Sequence, residues 1–509
     1  MARNKTIDAE TALALVKDGD TVGLIGGGGG LVEASALFSA IEHRFLTTSQ
    51  PRNLTIVHAL GIGDRESRGV NCFAHEGMVK RVIGGHWVWS PRMQQFARDN
   101  KIEAYVLPGG VIMQLMREIG AGRAGLLTHV GLDTFVDPRQ DGGRMNDRAK
   151  DDLVEVVCLG GRELLLYKPF PIHVALLRGS KADTEGNISL DEEPANLDIY
   201  AMALAAHNSG GKVIFQVRTV VDAQTIPARA VRIPSAIVDA VVVDPDQSQS
   251  YGVRYDPTIS GEKFEPVPPE SPPPLDARQV IARRAADELF DDAVINYGFG
   301  IPDALAKLVA NRGDADRYYQ TIEHGTYGGH LLDGIHFGYA RNPSCMIDGP
   351  SQFDFYSGGG LDIAFLGFGE VDRDGNVNVS KLAGVTVGVG GFIDIAQNAR
   401  KVVFCGVFDA KGTDISVDGG GLSIRHYGSV RKLVDRVAQI TFSGKQALQQ
   451  GQRVVIVTER CVFEVRQSGV VLTEVAPGVD VTKDILERMD FTPIVEHDPI
   501  LMPAKCFSD

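Results

Sequence analysis

Short β-branched apolar runs alternate along this chain with glycine turns and with segments of helical spacing. Asp8 to Val16 has Leu13 and Val16 on one side, with Ile7 just before it, and predicts a short amphipathic helix. Thr21–Ile25 (TVGLI) predicts a strand that runs straight into the glycines Gly26 to Gly30, and the spacing from about Val32 to Ile41 predicts a helix. Strand, glycine loop and helix in succession is the local grammar of a parallel α/β unit. LTIVHAL, AYVLP and HVALL continue the alternation.

The pattern stops between Tyr255 and Leu275. There Pro257, Pro266, Pro268, Pro269, Pro272, Pro273 and Pro274 crowd together with charges and few large apolar groups, which predicts an inter-domain linker. It then restarts. Asp276 is a candidate N-cap for a helix through Phe290, Ala293–Tyr297 predicts a strand, and Gly298-Phe299-Gly300 a turn. Pro302 stands where a following helix can begin.

Deeper in, the two halves share a register. HVALLRGSKADTEGNISL (173–190) aligns without gaps on DIAFLGFGEVDRDGNVNV (362–379), a spacing of 362 − 173 = 189, and KVIF (212–215) matches KVVF (401–404) at the same 401 − 212 = 189. Both copies carry an Asp-x-x-Gly-Asn turn. His173 and Asp362 occupy matching positions with different chemistry and read as scaffold. The expectation is two similar tandem α/β domains with mainly parallel sheets. The first spans 1–255, the linker 256–275 and the second 276–509. A repeat this long is an internal duplication and not a solenoid.

A chain of 509 residues is too long for one core, so its length agrees with two domains. Hydrophobic residues at 44% and charged residues at 23% are those of a globular protein. A net charge of −14 argues against a general nucleic-acid surface. The N-terminal stretch lacks a signal peptide's apolar core, and no apolar run reaches membrane-span length, so a cytoplasmic protein without membrane or nucleic-acid partners is expected. The six cysteines contain no CxxC pair and read as buried reduced thiols, with no metal site.

Candidate chemistry concentrates at Tyr318–His330 (YYQTIEHGTYGGH). An apolar approach delivers Glu323 into a turn punctuated by Gly325, Gly328 and Gly329, where the carboxylate can face bare backbone amides. The glycine loops are not nucleotide motifs. GxGxxG fails at Gly26-Gly28, at Gly61-Gly63 and at Gly298-Gly300, where Leu31, Glu66 and Asp303 stand in place of the third glycine, and no GxxxxGK[ST] occurs. What remains is an anion or oxyanion cradle of backbone N–H groups, against the plainer alternative of close strand–helix packing. A further cluster, GVTVGVGGFIDIA (384–396), is expected to follow a β-branched strand of the second domain, so that it, Glu323 and the 298–302 turn share one sheet edge.

Taken together, these motifs resemble the family I coenzyme A transferases over essentially the whole chain, and most of all the acetate/propionate branch. Glu323, Gly325 and Gly328 match the family's Glu-x-Gly-x-x-Gly turn, Gly298 to Pro302 its Gly-x-Gly-Ile-Pro turn, and Gly388 to Phe392 its Gly-x-Gly-Gly-Phe loop. GLDTFVDPRQDGG (131–143), QFDFYSGGGLDIAFLG (352–367) and GNVNVSK (375–381) resemble the branch specifically. The resemblance implies that Glu323 is the nucleophile. It implies that Gly298, Gly300, Ile301 and Pro302, with Gly388, Val389, Gly390 and Gly391, serve the oxyanion and coenzyme A. Lys411 could pair with a phosphate of coenzyme A or be a solvated surface lysine. Gly26, Gly27, Gly28 and Gly29 would face the acyl group. Family members often carry Pro-Gln-Gly where this chain has Pro108-Gly109-Gly110. Gly109 therefore lacks the oxyanion glutamine, and Gln114 is the candidate substitute, against a surface-helix reading.

The implied activity is transfer of coenzyme A from a short-chain acyl-CoA to a free carboxylic acid through a glutamyl-CoA thioester. Coenzyme A is then substrate and covalent intermediate, with no permanently bound cofactor. A glutamate of ordinary pKa, about 4.3, is ionised near pH 7, so no general base is expected. His324 reads as shaping the pocket. A homodimer or homotetramer is implied. A short-chain acyl-CoA hydrolase on the same fold and a non-catalytic acyl-CoA-binding protein are the alternatives. The acids are open among acetate, propionate, butyrate, lactate and 3-oxo acids.

Overall fold

The computed structural model describes residues 4–268 and 273–508; Pro269 and Pro272 of the proline-rich stretch fall outside them. The chain divides into two compact units. One is Met1–Glu265, Glu323–Asp354 and Gly384–Asp394, and the other is Pro266–Ile322, Phe355–Ala383 and Ile395–Asp509. The boundary at Glu265 falls inside the proline-rich stretch. The segment carrying Glu323 and the 388–391 loop belong to the first unit, whereas both were expected in the second half of the chain.

The first unit is built on parallel strands β1 (Thr21–Leu24), β2 (Leu54–His58), β3 (Val79–Gly84), β4 (Glu103–Val106), β5 (Val174–Asp183), β6 (Lys212–Val221) and β7 (Ala240–Val243). Their spatial order is β7-β6-β5-β1-β2-β3-β4. Val174, Ala175, Leu176 and Leu177 are all buried, because a parallel sheet covered on both faces needs continuous apolar runs. Helix α1 (Ser35–Thr48) follows the glycine loop, starting three residues later than the sequence suggests. Helix α2 (Gly109–Gly120) is buried along nearly its whole length, as its GGVIMQLM start requires.

The second unit repeats this plan. Strands β8 (Val294–Tyr297), β9 (Tyr319–Ile322), β10 (Ile363–Gly367), β11 (Lys401–Cys405) and β12 (Arg453–Val457) lie in the order β9-β8-β10-β11-β12, matching β2-β1-β5-β6-β7. The register is conserved as well. Lys212 pairs with Val174 and Lys401 with Ile363, sequence separations of 212 − 174 = 38 and 401 − 363 = 38. Asp276 caps the helix Ala277–Ala285 by accepting from the Gln279 amide at 2.9 Å. Helix α3 (Ile301–Asn311) carries Pro302 in its first turn, where a missing N–H costs nothing.

The shared turn is held by the same bonds in each unit. Asp183 Oδ1 accepts from the amides of Glu185 (3.0 Å) and Asn187 (2.9 Å), and Asn187 Nδ2 donates to Asp183 Oδ2. Asp372 accepts likewise from Asp374 and Asn376, and from Asn376 Nδ2. His173 and Asp362 do one job with different atoms. The Thr21 amide donates to His173 Nδ1 at 2.8 Å and the Val294 amide to Asp362 Oδ2 at 3.0 Å, each fixing the first residue of β1 or β8. Of the six cysteines, Cys158 and Cys345 are exposed and the other four buried, so the expectation of uniformly buried thiols fails at these two. Among the described residues no helix is long and apolar enough to cross a membrane.

Replacing Asp183 by alanine removes a charged acceptor from three donors at once and should destabilise the first unit by about 2 kcal/mol. A shift of the first urea transition measures this; an unchanged midpoint would show that the turn is held by its glycine alone.

Candidate active site

Strand β9 is buried at Gln320, Thr321 and Ile322, and Thr321 Oγ1 donates to the Ile295 carbonyl at 2.8 Å. The next residue is Glu323. Beyond it the chain turns at Gly325, whose carbonyl accepts from the Ile347 amide at 2.8 Å. Thr326–Tyr327 then pair antiparallel with Cys345–Met346. The Glu323 carboxyl group is thus set at the root of a two-stranded return.

The loop that meets Glu323 is the 384–394 segment. It was expected to end a parallel strand. Instead Val385–Thr386 is a two-residue strand outside the parallel sheet, and the segment runs along the end of β3. The Trp87 amide donates to the Val387 carbonyl at 3.0 Å, and His86 and Gly388 form an antiparallel bridge. The amides of Val389 and Gly390 both donate to the Gly85 carbonyl, at 2.8 and 3.0 Å. Two of the four expected loop donors are therefore committed to the scaffold. The Gly391 amide is the one that hydrogen-bonds Glu323. Carboxylate oxygen Oε2 lies so close to Gly391 that a Cβ there would overlap it and displace the carboxylate.

Helix α2 is locked to the same loop. The Gly109 amide donates to the Gly390 carbonyl at 2.6 Å, and Gly110 and Val111 donate to the two oxygens of Asp394, each at 3.1 Å. The helix N-terminus, with its orphan donors and positive dipole end, thereby receives a carboxylate. Burial pushes the Asp394 carboxyl well above its ordinary range, against the pull of these amides.

The acyl-pocket expectations change accordingly. Gly109 does not present its amide to a substrate, because that donor is spent on Gly390. Gln114 is neither a surface residue nor an oxyanion donor. It is buried, and its Nε2 donates at 2.8 Å to Asp354, which also pairs with Arg117. In the glycine run, the Gly27 amide donates to the Leu31 carbonyl (2.8 Å) and the Gly29 amide to the Gly63 carbonyl (3.2 Å). A Cβ at Gly28 would overlap the Trp89 ring, and one at Gly29 the Ile335 carbonyl. Close packing accounts for Gly27, Gly28 and Gly29, and Gly26 continues the same tight turn with φ of 156°.

In the second unit the Gly298 amide donates to the Phe365 carbonyl (2.8 Å), and the Gly300 amide to Asp303 Oδ2 (3.0 Å) at the start of α3. Ile301 and Pro302 form the first turn of that helix. Lys411 is exposed in a turn, its carbonyl accepting from the Ser429 amide at 2.9 Å.

Burial pushes the Glu323 carboxyl up from 4.5 to about 7, with the Gly391 amide pulling the other way. About 18% of its side-chain surface stays open. The expectation of a fully ionised glutamate at neutral pH is thus corrected. The histidines around it are neutral. His324 donates from Nδ1 to the Gly338 carbonyl (3.0 Å), leaving Nε2 as a lone pair 3.9 Å from Glu323 Oε1, and burial pulls its pKa down to about 4. His58 is held between the Leu60 carbonyl and Trp87 Nε1. His86, whose pKa burial lowers to about 3, accepts weakly from the Val88 amide at Nδ1.

Asp394, Gly85 and His86 went unrecognised in the sequence. The signal for the last two was present: Gly84-Gly85-His86-Trp87 is another glycine pair at a strand end. Asp394 gave no signal, since its partners lie 283 and 284 residues away.

The coenzyme A transferase family profile matches residues 6–244. The acetate CoA-transferase YdiF of Escherichia coli (strain K12) is 42% identical over 508 residues, covering 100% of this chain and 96% of that protein. The caffeate CoA-transferase of Acetobacterium woodii is 42% identical over 514 residues, covering 99% and 98%. The crystal structure of acyl-CoA transferase YdiF from E. coli O157:H7 as a thioester complex with CoA superposes with a TM-score of 0.95 at 41% identity, covering 100% of this chain and 97% of that one. This chain belongs to the coenzyme A transferase family. It is a CoA-transferase whose substrate and transferred group is coenzyme A.

The Glu323 ionisation leaves a stability signature. A carboxyl group whose pKa is raised on folding holds its proton in the native state while the unfolded chain has lost it. Wild-type stability therefore falls as pH rises from about 4.5 and the loss is complete above about 7, up to roughly 3 kcal/mol. Glu323→Gln cannot titrate, so its melting temperature should gain on the wild type between pH 5 and pH 8. A pH-independent difference would show that the ionised carboxylate is not buried at a cost.

Proposed function

We propose that Glu323 is the nucleophile and that coenzyme A passes through a thioester on its side chain between a short-chain acyl-CoA and a free acid such as acetate or propionate. The observation that carries this is the Glu323 carboxylate held at a strand end with one backbone amide, that of Gly391, against it. Since Oε2 lies at Gly391, Oε1 is the attacking atom. It bonds the thioester carbonyl carbon, the C–S bond breaks, and coenzyme A leaves as thiolate. The thiolate then adds to the Glu323 carboxyl carbon. The C–O bond to the acyl group breaks, the first acid departs, and glutamyl-CoA remains for an acceptor carboxylate to reverse the steps.

The oxyanion on the glutamyl carbon develops at Oε2, where the Gly391 amide already points. A pre-aimed donor of this kind is worth roughly 3–4 kcal/mol in the transition state. The Gly298–Pro302 turn and Lys411 are proposed to hold coenzyme A, with the α3 N-terminus suited to an anionic group. The named relatives, an acetate and a caffeate CoA-transferase, bracket acids of very different size, and the acetate relative supports the short-chain reading. We also propose tandem domains of 1–255 and 276–509 around a 256–275 linker, a cytoplasmic setting and a homodimer or homotetramer.

The direct test is to mix the protein with acetyl-CoA alone and examine the peptide spanning Thr321 to His330 by mass spectrometry. A coenzyme A thioester on Glu323 that disappears on adding acetate or propionate is the expected result. Slow release of coenzyme A without an adduct would point to a hydrolase.

The raised pKa gives a second test. Only the carboxylate attacks, so kcat/KM for acetyl-CoA should fall about tenfold per unit below pH 7, with a midpoint near 7. A flat profile down to pH 5 would contradict a buried nucleophile.

A further inference from the structure

The reaction generates two oxyanions, and the scaffold accounts for only one. The glutamyl oxyanion has the Gly391 amide. The acyl oxyanion forms on the carbon bonded to Oε1, and the neighbouring amides are spent: Val389 and Gly390 on the Gly85 carbonyl, Gly109 on the Gly390 carbonyl. His324 cannot serve, because the Nε2 it turns toward Oε1 is a lone pair once Nδ1–H is given to Gly338.

His86 is a polar side chain beside these groups. Its Nδ1 accepts from the Val88 amide at 3.4 Å, which sets the tautomer with the proton on Nε2. That Nε2–H has no hydrogen-bond partner among the described residues. The residue as a whole is neither fully buried nor exposed. Its position relative to the nucleophile is marked by the empty Cβ site of Gly390. His86 Cδ2 and Nε2 lie 3.2 and 3.8 Å from that point, and Glu323 Oε1 lies 4.0 Å from the same point. A side chain at Gly390 would meet both the imidazole and the carboxylate, so both groups border one small space. His86 is also fixed in place: its backbone bridges Gly388, and its ring packs over Gly61, where a Cβ would overlap it.

We infer that His86 is a catalytic residue, donating from Nε2–H to the oxygen of the substrate acyl group as Glu323 Oε1 bonds to its carbon. The assignment rests on Glu323 being the nucleophile. The donor moves no proton: the thioester C=O becomes C–O⁻ under the Nε2–H, and the negative charge leaves with the coenzyme A thiolate when the carbonyl re-forms. A neutral imidazole suits this role, since an imidazolium facing Glu323 would pair with the carboxylate and blunt its attack. Burial keeps His86 neutral throughout the neutral range.

The test is rapid-quench formation of the Glu323 thioester from acetyl-CoA in wild type, His86→Leu, His86→Gln and His86→Asn, alongside each protein's affinity for free CoA. Glutamine places an N–H near the position of Nε2, whereas asparagine places it near Nδ1, short of the acyl group. His86→Leu and His86→Asn should form the adduct 10²–10³-fold more slowly, with CoA affinity within about threefold of wild type and His86→Gln recovering at least tenfold of the loss. Should the leucine variant not fold, the glutamine and asparagine pair carries the comparison. Equal rates in that pair, or wild-type rates in any variant lacking the donor, overturn the assignment. Wild type forming no adduct overturns the Glu323 reading itself and this one with it, whereas a wild-type adduct with unaffected variants defeats the His86 inference alone.

Discussion

The Gly85 carbonyl is the point on which the site depends. It takes two amides from one loop, Val389 and Gly390, and in doing so turns the next amide, Gly391, toward Glu323. Each such bond is worth only about 1 kcal/mol net, but together they leave the loop little freedom. The α2 N-terminus closes the arrangement from the other side, with Gly109 bound to Gly390 and Asp394 under Gly110 and Val111. The glycines here serve proximity more than flexibility, since backbone meets backbone at distances that a Cβ would prevent.

The electrostatics follow from this dryness. No ion pair with a lysine or arginine is described at Glu323; its neighbours are an amide dipole and neutral imidazoles. An ion pair would hold the carboxylate charged at low pH but would also stabilise it against attack. A buried carboxylate facing one dipole is a stronger base and a stronger nucleophile, at the cost of being half protonated near pH 7. The same low dielectric that raises its pKa strengthens every donor aimed at an oxyanion.

The duplication shows how a scaffold persists while its chemistry departs. Strand order, the 38-residue pairing register and the Asp-x-x-Gly-Asn turn are the same in both units. Histidine in one and aspartate in the other accept the same kind of strand-initiating amide. Glu323 directly follows β9, yet its segment belongs to the first unit, so chain order is not a guide to unit membership.

The residues by themselves determined the parallel α/β class and the repeat, and pointed to Glu323 as the candidate for the chemistry. Those signals are local: β-branched runs, glycine turns, a capping Asp276 and a gap-free register between halves. What each glycine does was decided only in three dimensions. Gly26–Gly29, Gly109 and Val389–Gly390 resemble donor loops in sequence, but a backbone amide's partner is set by whatever carbonyl the fold brings within about 3 Å. Here those carbonyls come from Leu31, Gly63, Gly390 and Gly85. The pKa of Glu323 is likewise a property of its burial, which no run of thirteen residues encodes. His86, Asp394 and Glu323 come to one loop because separate stretches of chain converge on it, and only the tertiary structure states that convergence.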